Sequence, residues 1–86
     1  MGRINTNIPN AAFGRVIDVD PAAGVVTVAT FRFGILDFQV LPATLILDRG
    51  RPIGIEDLRL GSRVWVVGFA SESDVLFATE IRVLRR

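Results

Sequence analysis

The 86-residue sequence contains no cysteine, histidine, lysine or tyrosine. Without cysteine there are no disulfides, and without cysteine and histidine the usual zinc ligands are missing, so we expect neither a metal nor a cofactor. The same absences remove the common general bases and most covalent nucleophiles. Three serines remain, Ser62, Ser71 and Ser73, in loop contexts with no base to activate them. The sequence therefore predicts a protein that is not an enzyme.

The sequence also has no excess of one charge and no long hydrophobic run. Ten arginines against nine acidic residues leave a net charge of +1, which produces no strong field toward nucleic acid or a membrane surface. The apolar runs are strand-sized, shorter than the roughly 20 residues of a membrane span. The first residues, MGRINTNIPNAA, lack the apolar region of a signal peptide. We expect a soluble, cytoplasmic protein unless a leader peptide has been removed, and the compartment stays open.

Hydrophobic residues make up 50% of the sequence, which is high for so small a domain. A chain of this size buries only about 60% of its unfolded surface and usually needs an additional source of stability. Because disulfides and zinc are excluded, self-association is the remaining source, and we expect a homo-oligomer or a contact with another protein. The alternative is a densely packed monomer with scattered exposed apolar residues.

Residues 1–12 are rich in asparagine and show no periodicity, which predicts a flexible arm, followed by a single β-barrel domain over residues 13–86. Short runs of Val, Ile and Phe separated by turn residues predict an all-β fold. In the first strand, FGRVIDVD, we expect Phe13, Ile17 and Val19 to face the core. A proline-glycine hairpin leads to the second strand, VVTVATF, and a turn at Gly34 leads to the third, ILDFQVL. Pro42 then separates it from a short strand, TLIL.

The segment IGIEDLRLGSRVWVVG combines a helical turn with the start of a strand. Ile55 and Leu58 are three residues apart and would share the core-facing side of one helical turn. Gly61 suits the left-handed position that ends such a turn. The strands SRVWVVGFA and VLFATEIRVL follow. This order predicts a small five- to six-stranded OB-like barrel with one helical turn between the third and fourth long strands. An SH3-like barrel or an open β-sandwich is the alternative.

The segments GRVIDVD, GVVTV, IEDLRLGSRVWVVG and ATEIRVL follow the pattern G-x-V, D-L-x-x-G-x-x-V-x-V-x-G and A-x-x-I-x-V, with a threonine in an extended strand between. Over residues 13–84 the sequence thereby resembles a bacterial family of small OB-like β-barrel domains of unknown function. The matching positions are Gly14, Val16, Thr44, Asp57, Leu58, Gly61, Val64, Val66, Gly68, Ala78, Ile81 and Val83. The resemblance implies a fold, and it implies no activity and no functional residues.

Four alternating positions after Gly61 would share one face of a strand, and they are Arg63, Trp65, Val67 and Phe69. If the intervening valines line the barrel, this face displays tryptophan and arginine, which are common anchors of subunit contacts. The same face could stack single-stranded nucleic acid or glycan in an OB-like binding module, which the low net charge disfavours. Alternatively, Trp65 lies in the core and the face assignment is reversed.

The C-terminal segment RVLRR carries three arginines, Arg82, Arg85 and Arg86, which would form a polyanion patch if their side chains were free. A solvated terminal run is the alternative, because three charges give little affinity at physiological salt. Taken together, these observations predict a non-enzymatic β-barrel module that acts as a structural or protein-interaction unit and self-associates.

Overall fold

Six strands and one short 3-10 helix follow one another along the chain in the computed structural model, which describes residues 10–85 and not the side chain of Arg85. The strands are β1 (Ala11–Asp20), β2 (Val25–Thr30), β3 (Ile35–Asp48), β4 (Arg51–Pro52), β5 (Arg63–Ala70) and β6 (Leu76–Arg85). The 3-10 helix covers Ile55–Asp57, between β4 and β5. No helix in the described part of the chain has the length and apolarity needed to cross a membrane.

The five long strands close into a barrel. Strand β1 pairs with β2 and β5, β2 pairs with β3, and β6 lies between β5 and β3. Strands β3 and β6 run parallel, whereas the other paired strands are antiparallel. The two-residue strand β4 pairs with the end of β3. The predicted all-β, OB-like barrel with a helical turn between the third and fourth long strands is confirmed.

The barrel interior is filled mainly by aliphatic side chains with one large aromatic ring. The core residues are Val16, Val26, Val28, Phe38, Ile46, Leu58, Val64, Val66, Leu76, Ala78 and Ile81. Valine and isoleucine are stiff at χ1 and pack well on a pleated surface, so they suit the inward positions of a narrow barrel. Each long strand contributes at least one of these residues, so burial of the core and closure of the sheet depend on each other.

The helical turn is a corner of the barrel, as the sequence predicts. Leu58 is buried in the core and Ile55 packs against it from the turn. The side chain of Asp57 accepts a hydrogen bond from the backbone N–H of Gly54, 3.0 Å away, which caps the turn. Gly61 has φ +88°, the left-handed conformation expected at this position. Ile55, Leu58 and Gly61 are therefore structural, and they lead the chain into β5.

The predicted orientation of the first strand is wrong. Val16 is fully buried, whereas Phe13 and Ile17 are 51% and 44% exposed. The pairing of β1 with β2 shifts register between Val16 and Asp18, and such a bulge reverses which side chains face the core. Val19, on the other side of the bulge, packs against the core as predicted.

Two strand boundaries also differ from prediction. Strand β1 begins at Ala11, inside the predicted arm, because Ala11 and Ala12 pair with β5. Residues 1–9, the rest of that arm, lie outside the described residues. The segment TLIL is not a separate strand, because β3 continues through Pro42 to Asp48, with its register to β6 shifting between Val40 and Leu45. Pro42 therefore accompanies an irregularity and does not end the strand.

Candidate functional site

The outward side of β5 carries the four residues that the sequence singles out. Val64 and Val66 are fully buried, so alternation turns the intervening side chains outward. These side chains, called the β5 face below, are Arg63, Trp65, Val67 and Phe69. Arg63 and Phe69 are exposed, and Trp65 and Val67 are half-buried. The reversed assignment, with the tryptophan inside the barrel, is excluded.

The indole of Trp65 lies in a layer of side chains that crosses three strands. Phe13 of β1 and Arg82 of β6 occupy the positions directly opposite Trp65 in the two neighbouring strands. The rings of Phe13 and Trp65 are stacked, with centroids 5.6 Å apart and planes inclined by 11°. The guanidinium carbon of Arg82 lies 5.7 Å from the centroid of the indole ring, within the range of a cation–π interaction. Both sides of the indole are thus covered by neighbouring strands.

Two polar groups belong to this layer, the guanidinium of Arg82 and the indole N–H of Trp65. Arg82 donates a hydrogen bond from Nε to the Glu80 carboxylate, and the two residues form an ion pair. The Nε1 atom of Trp65 is buried and has no hydrogen-bond partner. A buried donor without an acceptor is uncommon in folded proteins. Neighbouring side chains therefore cover this edge of the indole, although the ring lies on the outside of the barrel.

A second aromatic pair extends the apolar surface toward the far end of β5. Phe69 is 45% exposed and stacks on Phe77 of β6, with ring centroids 5.4 Å apart and planes inclined by 24°. Phe13 and Phe77 thus border the β5 face on its two sides. Phe13, which was predicted to lie in the core, belongs to this surface instead, and the sequence pattern does not single out Phe77. Their positions opposite Trp65 and Phe69 depend on strand pairing, which periodicity alone does not provide.

A separate apolar cleft lies beside β1. It is a cavity of about 290 Å³ lined by Ala11, Ala12, Phe13, Phe31, Arg32 and Phe33. Phe31 was predicted to end the strand VVTVATF, and Phe33 was predicted only as part of the turn at Gly34, so neither was singled out as a site residue. Strand β2 ends at Thr30, so both phenylalanines belong to the loop that follows, where they are exposed.

The C-terminal arginines are only partly described. The Arg82 guanidinium is engaged with Glu80 and Trp65. Arg85 belongs to β6 by its backbone, while its side chain and all of Arg86 lie outside the described residues. The polyanion patch therefore stays a prediction, and the one arginine whose side chain is placed already has partners within the fold.

The face that OB barrels use most often for oligonucleotides and oligosaccharides, the outer side of β2 and β3, combines polar residues with the exposed Ile35 here. Thr27 donates a hydrogen bond to Asp37, with 2.6 Å between the two oxygens. The Gln39 amide donates to the carbonyl oxygen of Ala23 at 2.9 Å. The aromatic residue of these two strands, Phe38, points into the core. This face offers a carboxylate and hydrogen-bonded polar groups, and it offers no stacking platform.

Among residues 10–85 no group of three or more histidine, cysteine or acidic side chains is placed to hold a metal ion. The serines serve the fold: Ser62 is buried, and the Ser71 hydroxyl accepts hydrogen bonds from the backbone N–H groups of Ser73 and Val75, both at 3.2 Å. These contacts shape the β5–β6 loop and arrange no nucleophile.

Comparisons with known proteins place the fold. No protein-family model matches the sequence, and no curated protein sequence matches it. Among solved structures, CusF from Escherichia coli is similar. A tryptophan-to-alanine variant with Cu(II) has a TM-score of 0.70 at 15% identity, covering 87% of this chain and 90% of that one. The apo form has a TM-score of 0.68 at 15% identity, covering 99% and 100%, and the Ag(I) form has a TM-score of 0.69 at the same identity, covering 87% and 90%.

At this identity the likeness concerns the fold, and it supports the OB-like barrel that the family resemblance implies. Membership of the bacterial family of unknown function stays a prediction. The metals named with CusF are copper and silver, and the side chains of this sequence do not match them chemically. Copper sites use imidazole, thiolate or thioether ligands, and this sequence has no histidine or cysteine and one methionine, Met1. The residues of this chain do not fit a copper or silver site of that kind.

Proposed function

We propose that this chain is a non-enzymatic β-barrel module whose β5 face forms a contact with a second copy of the chain. The observation that carries this proposal is the placement of Trp65, Val67 and Phe69 on the outside of a strand whose inward valines already complete the core. An outward strand face normally alternates to polar residues in an antiparallel sheet with one side in water. Here it stays apolar, which is typical of a surface that another molecule covers.

The neighbouring strands add to this surface. Phe13 and Phe77 place two further rings beside Trp65 and Phe69, and Arg63 lies at one end of the face. Tryptophan and arginine are enriched among the residues that dominate binding energy. A second copy would cover the apolar centre and leave Arg63 at one end, and the Glu80–Arg82 pair of β6 along one side, at the rim. This arrangement matches the usual anatomy of an interface, with an apolar core and a polar rim.

The alternative function, binding of single-stranded nucleic acid or glycan through Trp65 and nearby arginines, is less well supported. Base stacking needs an accessible aromatic face, and Phe13 and Arg82 flank the indole from both neighbouring strands. The usual OB ligand face presents Asp37, whose charge disfavours phosphate. The net charge of +1 adds no general attraction.

Sedimentation velocity of the whole chain at micromolar concentration tests the proposal. We expect the wild type to sediment as an oligomer and Trp65→Ala to shift it toward monomer, because the substitution removes the largest ring of the interface. Phe69→Ala serves as a second variant, since it is more exposed and disturbs the barrel less. Ile35→Ala is the matched control: Ile35 is 67% exposed and lies on β3, which does not pair with β5.

The same samples separate the two functions. A wild type that stays monomeric, or an oligomer that neither interface variant weakens, would overturn the contact through β5. Anisotropy of a labelled single-stranded oligothymidylate gives the other readout. If the oligonucleotide binds and Trp65→Ala abolishes that binding while the oligomer stays intact, the binding-module alternative replaces the proposal. Circular dichroism confirms that each variant retains its β structure.

A further inference from the structure

The apolar cleft beside β1 is a second surface, and it shares Phe13 alone with the proposed self-association surface. It lies on the side of β1 that faces away from β5, between Ala11–Phe13 and the loop after β2. Phe31 is 63% exposed, and Phe13 and Phe33 are also exposed. Phenylalanine is usually buried, so three neighbouring exposed rings around one cavity indicate a place where an apolar group is received.

The loop that carries two of these rings is held in place by hydrogen bonds. The Thr30 hydroxyl donates to the carbonyl oxygen of Gly34 at 2.6 Å and accepts from the backbone N–H of Phe33 at 2.8 Å. The N–H of Phe31 donates to the carbonyl oxygen of Phe13 at 3.0 Å. The exposed rings therefore belong to an ordered loop tied to β1, which lowers the entropy that binding would otherwise cost.

The backbone of β1 offers an open edge to the same cleft. The carbonyl of Asn10 accepts from Gly68, and the N–H of Val16 donates to Ser62, so the even-numbered residues of this half of β1 direct their peptide groups toward β5. Peptide groups alternate in direction along a strand, and those of Ala11 therefore point to the opposite side. The pairing of β1 with β2 begins at Gly14, opposite Thr30, and the Phe13 carbonyl already accepts from Phe31. Among the described residues, the unpaired part of this edge is therefore Ala11. A strand edge beyond its last partner is a template for another strand.

The charge at the cleft is positive. Arg32 lies between the two loop phenylalanines and lines the cavity, and no carboxylate is among the described lining residues. Arg15, the nearest arginine of β1, is engaged away from the cleft, because its guanidinium donates to the carbonyl oxygen of Gly61 at 3.4 Å. A guanidinium at the wall of an apolar cavity favours a partner that combines an apolar side chain with a carboxylate.

We propose that this cleft binds an extended acidic peptide segment of another protein, which pairs as a short strand with β1 at Ala11. Main-chain hydrogen bonds to Ala11 give general affinity, and an apolar side chain of the peptide enters between Phe31 and Phe33, as in other cases of strand addition. A carboxylate of the peptide meets Arg32. The proposal goes beyond self-association, because it uses the opposite side of β1 and a different partner.

Fluorescence anisotropy with the whole chain tests it, using a labelled peptide of alternating valine and glutamate and a second peptide with lysine in place of glutamate. We expect the acidic peptide to bind and the basic one not to bind. Phe31→Ala should weaken the acidic peptide about tenfold, the loss typical of an anchoring side chain. Phe69→Ala is the matched control, since it removes an exposed ring from the β5 face, and it should leave peptide affinity unchanged.

A pair of N-methylated peptides makes the test independent of any change to the protein. Methylation of the amides along one edge of the peptide should abolish binding, and methylation along the other edge should not, because strand addition uses a single edge. Absence of acidic-peptide binding, equal binding by both methylated peptides, or unchanged affinity of folded Phe31→Ala would each overturn the proposal. If Phe31→Ala does not fold, the methylated pair decides.

Sedimentation of the same samples keeps the two proposals apart. An oligomer that Trp65→Ala dissociates, combined with no peptide binding, overturns the cleft proposal and supports the β5 contact. A monomer that binds the acidic peptide overturns the β5 contact and supports the cleft.

Discussion

Trp65 and Phe13 form a stacked aromatic pair on the outside of the barrel, with ring centroids 5.6 Å apart, where β1 and β5 run side by side. The pair joins the two apolar surfaces of the molecule. One side of Phe13 supports the indole of the β5 face, and the same residue lines the cleft beside the loop after β2. A change at Phe13 therefore affects both surfaces, whereas changes at Phe31 or Phe69 affect one each.

The stacking of Trp65 on Phe13 should contribute measurably to folding. Aromatic pairs of this geometry add about 0.5–1.5 kcal/mol beyond their burial, so a double-mutant cycle with Phe13→Leu and Trp65→Leu should give a coupling free energy in that range. Urea unfolding followed by circular dichroism measures it. A cycle of Trp65→Leu with Ile35→Ala, on a strand that does not pair with β5, should be additive. A Phe13–Trp65 coupling near zero would contradict the pair's role.

Two glycines allow strands to approach more closely than any side chain permits. A Cβ on Gly14 would collide with the carbonyl oxygen of Ala29, and a Cβ on Gly68 would collide with that of Phe77. The colliding atoms belong to the backbone of a neighbouring strand, which cannot move aside without disturbing the sheet. Gly14→Ala and Gly68→Ala should therefore each lower the free energy of unfolding by about 1–3 kcal/mol or more. Thermal and urea unfolding measure the loss.

Gly54→Ala is the control for both glycines. Its Cβ would meet the carboxylate of Glu56, the far end of a side chain that can rotate away, so the cost should stay below about 1 kcal/mol. Equal losses at all three positions would show that glycine content in general, and not close strand approach, determines stability.

The parts of the molecule that the sequence predicts are those where one local rule acts without interruption. Unbroken alternation in β5 separates Val64 and Val66 from Trp65, and the turn from Ile55 to Gly61 combines spacing with a single glycine. The orientation of β1 was predicted wrongly because the bulge after Val16 reverses alternation. Arg15, between Phe13 and Ile17 on the predicted inward face, was the one residue of FGRVIDVD that broke the pattern. The position of the bulge depends on the pairing with β2, which is a long-range property.

The cleft was missed for a related reason. Thr30 and Phe31 fit a strand by composition, yet β2 ends at Thr30. Hydrogen bonds between Thr30, Phe33 and Gly34 end β2. Threonine is common in strands, so its presence does not predict this role. Gly34, at φ +76°, was the one signal of the turn that the sequence displayed.

Thr44 should stabilise the irregular middle of β3. Its hydroxyl donates to the carbonyl oxygen of Ala78 at 2.6 Å and accepts from the N–H of Leu41 at 2.8 Å, which bridges the register shift between β3 and β6. Thr44→Val leaves both backbone groups without this partner and should cost about 1–3 kcal/mol. Thr79→Val, which removes one exposed bond to Val67, should cost less. Urea unfolding of the two variants would contradict this ranking if Thr79→Val were the more damaging.

The engagement of Arg82 predicts weak polyanion binding. Its guanidinium is paired with Glu80 and lies over Trp65, so little of its charge is available to a phosphate or sulfate. We expect the chain to elute from heparin below about 0.15 M salt, and Arg82→Gln to change the elution little. Glu80→Gln should increase retention, because it removes the competing carboxylate. Retention of the wild type above physiological salt, lost on Arg82→Gln, would instead establish the C-terminal arginines as a polyanion patch.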